Sequence, residues 1–532
     1  MPLGSHARIV AKLASRGFNA DREAVTLLAN ATNSERAVER TIEHAPPDAI
    51  KLTADHVRSV LETPSDRPDT SSVDRPNTGP GDRPDTDSGD PSISTGTSTP
   101  DSIDSGTSSP DEMEGSVVSS EIEASNGVNH QRSPLPVEIA SDITGESTGT
   151  GEYADFVATF RDRYERLAAK LRSRVNHRPA ATIEEMPGGS DVAMIGMVND
   201  IRSTASGHWL VELEDTSGTM PFLIMKDRDF ADSVDELLLD EVVAIEGTLS
   251  DDSGIVFVNS LHFPDVPRTF QPSTADRHVQ AALISDVHVG SQEFLAGAWS
   301  RFADWLHTDE GASVEYLLIA GDMVEGVGVY PNQDEELDII DVYEQYERFA
   351  EHLKSVPGDL EIVMIPGNHD AVRLAEPQPG FDDELRGIMS AHDATIVGNP
   401  STVTIEGVSV LMYHGVSLDE MIAEYPEASY DRPHEAMYQL LKKRHLAPQY
   451  GGKMRIAPEE RDYLVIEDVP DVFHTGHVHK IGVGSYRNVT VVNSGCWQAQ
   501  TAFQKSVNID PDAGYAPILD LDTLEITLRK FT

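Results

Sequence analysis

Between residues 278 and 480, five apolar runs each break off at an Asp, His or Asn, mostly beside a glycine. "VQAALIS" meets Asp286-Val287-His288, "VEYLLIA" meets Gly321-Asp322, and "LEIVMIP" meets Gly367-Asn368-His369-Asp370. "VSVLMY" meets His414-Gly415, and "PDVFHT" meets Gly476-His477-Val478-His479. Short continuous apolar runs rich in β-branched residues read as strands buried on both faces. Helical stretches such as "FLAGAWSRFADWLH" and "DVYEQYERFAEHL" lie between some of them. The class is therefore α/β, with a central sheet covered by helices. Rigid strands aim short loops at one point, which is where layered α/β folds build their sites.

The residue types at these strand ends fit a metal centre. Carboxylate, imidazole and amide oxygen suit zinc, manganese or iron better than magnesium or calcium. A single buried histidine is ordinarily only hydrogen-bonded; five such elements in order argue for one shared centre. The chain has one cysteine, Cys496, so neither an internal disulfide nor a cysteine-based zinc site is available. A pair of ions joined by a carboxylate can grip both the attacking and the leaving oxygen of a phosphoryl centre.

The rest of the chain divides by composition. Residues 1–62 read as a small helical module, with Thr53 as an N-cap for "ADHVRSVLE". Residues 63–150 carry "DRPDT", "DRPNT" and "DRPDT" starting at Asp66, Asp74 and Asp82, followed by Ser, Thr, Asp, Gly and Pro. So little apolar surface cannot offset the ordering entropy, and the expectation is a disordered acidic tether. Residues 151–180 form a connecting helix whose apolar face is Phe156, Phe160, Tyr164, Leu167 and Leu171. Residues 181–270 read as five short strands with a helix-like "FADSVDELLL" among them, which suits an OB-fold barrel. Such barrels can bind single strands on aromatic platforms, with Trp209, Phe222 and Phe257 as the candidates here, or can serve for protein packing alone. Residues 271–532 hold the strand-end pattern.

Charge constrains the environment. Asp and Glu number 90 against 41 Lys and Arg, a net charge of −49, and only 11 of those basic residues are Lys. An acidic, Lys-poor chain resembles proteins of salt-in halophiles, whose charge keeps them dissolved in concentrated salt. At molar salt the Debye length is about 3 Å, so this charge does not by itself exclude a polyanionic substrate. No apolar stretch reaches membrane-spanning length and no signal peptide is evident, so the expectation is a cytoplasmic protein without a membrane partner.

The order D-x-H, GD, GNHD, HG, GH-x-H resembles the calcineurin-like metallophosphoesterase superfamily over about residues 278–500. The resemblance implies a β-sandwich flanked by helices and two divalent ions, manganese first, with zinc, iron or magnesium as alternatives. It implies Asp286, His288 and His479 as ligands of the first ion and Asp322 as the bridge. Asn368, His414 and His477 would hold the second ion. His369 would be the acid that faces the leaving oxygen, oriented by Asp370. "GDMVEG" carries Glu325 where many members have Asp, at a position not expected to be a ligand. The barrel directly before this region, together with "RHLAPQYGGKMRIAPEERDYLVIEDVPDVFHTGHVH" at 444–479, is similar to the small subunits of archaeal family D DNA polymerases. That narrower resemblance implies a 3′–5′ exonuclease that proofreads for a separate large catalytic subunit, in a heterodimer or heterotetramer, acting on the 3′ end of single-stranded DNA. Tyr450, Lys453 and Arg455 in "YGGKMR" are candidates for touching the strand or the partner. The alternatives are a phosphoesterase acting on phosphomonoesters or cyclic nucleotides, and a non-catalytic assembly subunit.

Overall fold

The computed structural model of the chain describes residues 9, 12–13, 16, 18–20, 22–31, 33–46, 51–62, 134–147, 151–251, 254–331, 333–389, 394–425, 428–452, 454–506 and 508–532. The three DRP repeats and most of the expected tether lie outside them.

At the N-terminus, helices Arg22–Ala29, Ser34–Glu43 and Ala54–Glu62 enclose Ile9, Leu13, Val25, Leu28, Val38 and Val57. Two short parallel strands, β1 (Asn19–Ala20) and β2 (Lys51–Leu52), pair beside them. Asn33 caps the second helix through the Arg36 N–H at 3.1 Å, and the Thr53 hydroxyl accepts from His56 N–H at the start of the third.

Some residues expected in the tether form a strand. Strand β3 (Glu138–Ser141) pairs antiparallel with a strand at 401–405, and Asp142 Oδ1 accepts the Gly398 N–H at 2.8 Å. All four β3 residues are exposed. This edge strand is held by backbone pairing rather than by buried side chains, so it carries no hydrophobic signature.

The helix Tyr153–Leu171 opens with a reciprocal capping box between Glu152 and Asp155. Its Phe160, Tyr164, Leu167 and Leu171 pack on barrel residues Ala193, Ile195 and Met197. On another face the fully buried Arg163 places Nε 2.6 Å from Asp462 Oδ2 and donates to the Pro448 carbonyl at 2.8 Å. His445 Nε2 lies 2.9 Å from the same Asp462 oxygen. Burial, then the Arg163 charge, pushes His445 down to about 4, so it folds as the neutral ring. The unfolded chain takes up that proton near pH 6.5, so stability falls as pH drops from there towards 4. The single group accounts for roughly 3 kcal/mol over that window. Urea unfolding of the full chain and of His445→Gln, compared between pH 7 and 4.5, is expected to show a shallower pH slope in the variant. Parallel slopes would remove His445 as the cause.

The barrel is closed in the order β4 (Asp191–Ser203), β5 (Trp209–Asp215), β6 (Gly218–Ile224), β8, β7, where β7 is Val242–Leu249 and β8 is Val256–His262. β7 returns to β4, and only β6–β8 is parallel. The helix-like segment after β6 shortens to one 3₁₀ turn, Ala231–Val234. Phe222 is fully buried in the barrel core, so it is no platform for a base; Trp209 is half-buried, and Phe257 is the exposed one at 41%.

Two six-stranded sheets follow. One has the order β12-β11-β10-β9-β18-β19, built from β9 (Gln280–Ile284), β10 (Val314–Ala320), β11 (Glu361–Ile365), β12 (Thr395–Ile396), β18 (Tyr515–Asp520) and β19 (Ile526–Lys530). The other is β16-β17-β15-β14-β13-β3, with β13 (Ser401–Ile405), β14 (Val408–Met412), β15 (Val472–Thr475), β16 (Ile481–Tyr486) and β17 (Val489–Ser494). Side-chain alternation sets the layers. Tyr316, Leu318 and Ala320 of β10 face Val403, Val410 and Met412 of the second sheet. Leu317 and Ile319 face the opposite way, onto Trp299, Phe302, Tyr346 and Phe349 of helices Ala296–Leu306 and Val342–Leu353. Helices Leu418–Glu424 and Pro433–Lys443 cover the outer face of the second sheet around Leu411, Phe473 and Val491. Both faces of each sheet's central strands are thus buried, which is why they read as unbroken apolar runs.

Candidate metal centre

β9, β10 and β11 are parallel neighbours, so their C-terminal ends lie on one edge of the first sheet. β14 and β15 are parallel neighbours in the second. Asp286, Asp322 and Asn368 follow the first three strands; His414 and His477 follow the other two. The two edges meet where the His477 N–H donates to Asp286 Oδ2 at 2.9 Å; within the second edge, the Gly476 N–H donates to the His414 carbonyl at 2.8 Å.

The loops are bent sharply to achieve this. Asp286, His288, Asp322, His477 and His479 have φ of 52°, 55°, 52°, 72° and 55°, in the left-handed region. Such backbone is disfavoured for non-glycine residues and persists where surrounding structure enforces it, typically at functional sites. The glycines supply clearance. A Cβ on Gly367 would stand 2.2 Å from Asp322 Oδ1, and one on Gly476 would stand 2.4 Å from Asp286 Oδ2.

Two groups of donors result. In the first, His288 Nε2 and His479 Nε2 face one another at 3.0 Å, with Asp286 Oδ1 3.4 Å from the latter. In the second, His414 Nε2 lies 3.2 Å from Asp322 Oδ2 and 3.0 Å from Asn368 Oδ1; His477 joins Asp322 and His414 with ligand atoms within 4.8 Å of one another. Asp322 Oδ2 is also 3.8 Å from His288 Nε2, so one carboxylate oxygen stands between the groups. Every residue expected as a ligand is therefore at this one place.

The electrostatics favour a cation here. Burial opposes ionisation of Asp286, but hydrogen bonds with His288 and His479 outweigh it and hold the carboxyl well below its ordinary value. Asp322 is held down against burial by the charges of His414 and His369. Burial disfavours the charged His414 ring, yet the neighbouring Asp322 raises it to about 10. Imidazole nitrogens converging at 3.0 Å, with buried carboxylates around them, form a donor set that divalent ions fit. The His414 Nδ1 donates to the Ala320 carbonyl at 2.9 Å, which turns Nε2 inward.

His369 lines the cavity of about 320 Å³ in front of these groups. Its Nδ1 lies 2.8 Å from the Glu325 carbonyl and its N–H donates to Asp322 Oδ1 at 2.8 Å. Asp370 does not orient it. The Asp370 carboxylate turns away from the cavity and accepts from Gly367 N–H at 2.8 Å and Tyr346 Oη at 2.9 Å. Adjacent residues in a tight loop point apart, and Asp370 braces the turn while the Glu325 carbonyl sets the His369 ring.

Several site residues have no strong signal in the sequence. Glu325 is 2% exposed, with Oε2 2.8 Å from His288 Nδ1 and 2.7 Å from Gln498 Nε2. Burial resists its charge, but His288 draws it down to about 2. Gln504 Nε2 lies 2.8 Å from His479 Nδ1, and Asp419 Oδ2 lies 3.4 Å from His477 Nε2. Gln504 and Asp419 sit on helices Ala502–Ser506 and Leu418–Glu424, outside the strand-end pattern. Among the "YGGKMR" candidates, Tyr450 packs on Phe156 and Phe160, Arg455 is exposed away from the cavity, and Lys453 lies outside the described residues. Cys496 is buried and its thiol is pushed up by that burial.

Residues 281–481 match the model of a family described as the B subunits of DNA polymerases alpha and epsilon. The chain is 63% identical over 536 residues to the DNA polymerase II small subunit of Halobacterium salinarum, covering 100% of both chains. It is 44% identical over 388 residues to the protein of that name in Archaeoglobus fulgidus, covering 71% of this chain and 78% of the other. With the DNA polymerase II small subunit of Methanothermobacter thermautotrophicus the identity is 40% over 400 residues, 73% of this chain and 82% of that one.

Proposed function

This chain belongs to the family of small subunits of archaeal DNA polymerase II, the family D enzymes, and from that premise we propose that it is the subunit carrying a metal-dependent 3′–5′ exonuclease. Family membership makes it part of a replicative polymerase and implies a large catalytic subunit as partner. The finer reading is hydrolysis of single-stranded DNA from the 3′ end, for proofreading, in the cytoplasm; no described helix is long and apolar enough to cross a membrane. The fold is read as a calcineurin-like phosphoesterase (271–532) behind an OB-fold barrel (181–270) and its connecting helix. A tether, expected over 63–150, joins these to the N-terminal module; within those bounds Glu138–Ser141 pairs with β13.

One observation carries the reading: a filled set of seven donor side chains at one buried point, with a histidine facing the cavity beside them. A scaffold would have no use for five strained ligand positions. Asp286, His288 and His479 would hold one ion, Asn368, His414 and His477 the other, and Asp322 both, with manganese as the first choice. Bound there, the ions would acidify water and offset charge on the phosphate oxygens. The chain's own residues do the rest. His414 is fixed by Ala320 and His479 by Gln504. His369, fixed at Nδ1 by Glu325, presents Nε2 to the cavity and donates a proton there to the departing 3′ oxygen.

The test uses the full-length chain at high salt with manganese. Loss of single nucleotides from the 3′ end of a 5′-labelled single strand, abolished by chelator, is expected. Faster turnover of a nitrophenyl phosphomonoester than of DNA would favour the monoesterase reading. No hydrolysis of either would favour a non-catalytic assembly subunit.

A further inference from the structure

At the mouth of the cavity stands an aromatic pair that the mechanism above does not use. Phe503, on the short helix Ala502–Ser506, is 55% exposed and stacks on Tyr330 with centroids 6.0 Å apart and planes 25° apart. Both rings line the cavity that contains His369 and the donor groups. Scattered exposed apolar residues are ordinary, but this one is placed beside a reaction centre with its ring largely in the open.

The pair is tied to the centre. The Tyr330 hydroxyl reaches Glu325 Oε1 at 3.2 Å, while Glu325 Oε2 is 2.8 Å from His288 Nδ1. The Tyr330 ring also lies edge-on to His369 at 6.4 Å. The residue after Phe503 is Gln504, which holds His479. A ring system fixed to two residues of the first donor group, His288 and His479, keeps its distance from the reacting phosphate constant.

Charge argues for what sits there. Among the described residues lining the cavity none is Lys or Arg. The usual protein contribution to nucleic-acid affinity, cationic contacts to phosphate, is therefore missing, and at molar salt it would be weak in any case. Stacking of a base on an aromatic face does not depend on counterion release and tolerates any base. We propose that Phe503, backed by Tyr330, is the stacking platform for the nucleobase at the 3′ end of the strand, and that it positions the last phosphodiester under His369. This rests on the exonuclease reading for its substrate, and it accounts for sequence-independent binding in an acidic, salt-adapted chain.

The experiment uses the full chain at molar salt with two oligonucleotides that differ only in having a base or an abasic residue at the 3′ terminus. With manganese, removing the base is expected to raise KM roughly tenfold for the natural chain, the scale of one lost stack. Phe503→Ala should show that higher KM on both oligonucleotides, with kcat changed far less, and Phe503→Trp should restore the difference. In chelator, without turnover, a 3′-terminal 2-aminopurine should be quenched by the natural chain and not by Phe503→Ala. If Phe503→Ala still distinguishes base from abasic ends, or quenches as well as the natural chain, the platform is wrong. If the natural chain quenches but hydrolyses no DNA with manganese, the platform stands and the exonuclease reading falls.

Discussion

Asp322→Asn is expected to abolish DNA hydrolysis while leaving the fold intact. The substitution keeps Oδ1 to accept the His369 N–H, now at 2.8 Å, and replaces Oδ2 by an NH2 group, which removes the charge and the shared donor oxygen. That charge stands between both donor groups, 3.2 Å from His414 Nε2 and 3.8 Å from His288 Nε2. Losing a partner that merely supports a ligand costs roughly 10–100-fold in metal affinity or activity. Losing the one carboxylate shared by both groups should cost well beyond that, and metal content should fall below that of the natural chain. Circular dichroism and unfolding at high salt check the fold, and metal analysis with a 3′-end assay checks the rest. Near-normal rates in Asp322→Asn would sink the shared-ligand reading.

His369→Ala should fail in a different manner. His369 stands edge-on to His288 with ring centroids 4.8 Å apart, but its Nδ1 is occupied by the Glu325 carbonyl. The variant should keep its metal and lose about 10²–10⁴-fold in rate on DNA, the scale of a lost general acid. The loss should shrink on a nitrophenyl phosphodiester, whose leaving group departs without a proton. His477→Ala, by contrast, removes a donor from the second group and should lower metal content and slow both substrates alike. If His369→Ala loses metal, or is equally slow on both substrates, His369 is not the acid.

The donor set is legible in the sequence because the fold exposes it there. Strands covered on both faces, such as Val314–Ala320, appear as apolar runs, and the first polar residue after each run marks the sheet edge. Three parallel pairings bring those ends to two edges, which no single run reveals on its own. What is not legible depends on direction and distance. Asp370 is next to His369 in sequence but turns to Tyr346 and the Gly367 amide, because a tight loop sends successive side chains apart. Glu325 reads as a neutral variation in its motif and proves to be buried against His288. Glu138–Ser141 reads as tether because an exposed edge strand needs no apolar side chains. Phe222 reads as a platform candidate because a barrel's alternation does not tell from composition which face an aromatic takes.

The central claim is that two ions bound at the strand ends make this chain a 3′ exonuclease. Metal-stripped full-length chain, titrated with manganese at molar salt while bound metal and nucleotide release from a 5′-labelled single strand are followed together, tests it most directly. The account predicts two ions per chain, activity that appears only as the second site fills, and mononucleotides lost stepwise from the 3′ end. Saturation at one ion, or two bound ions with the strand left intact, would contradict it.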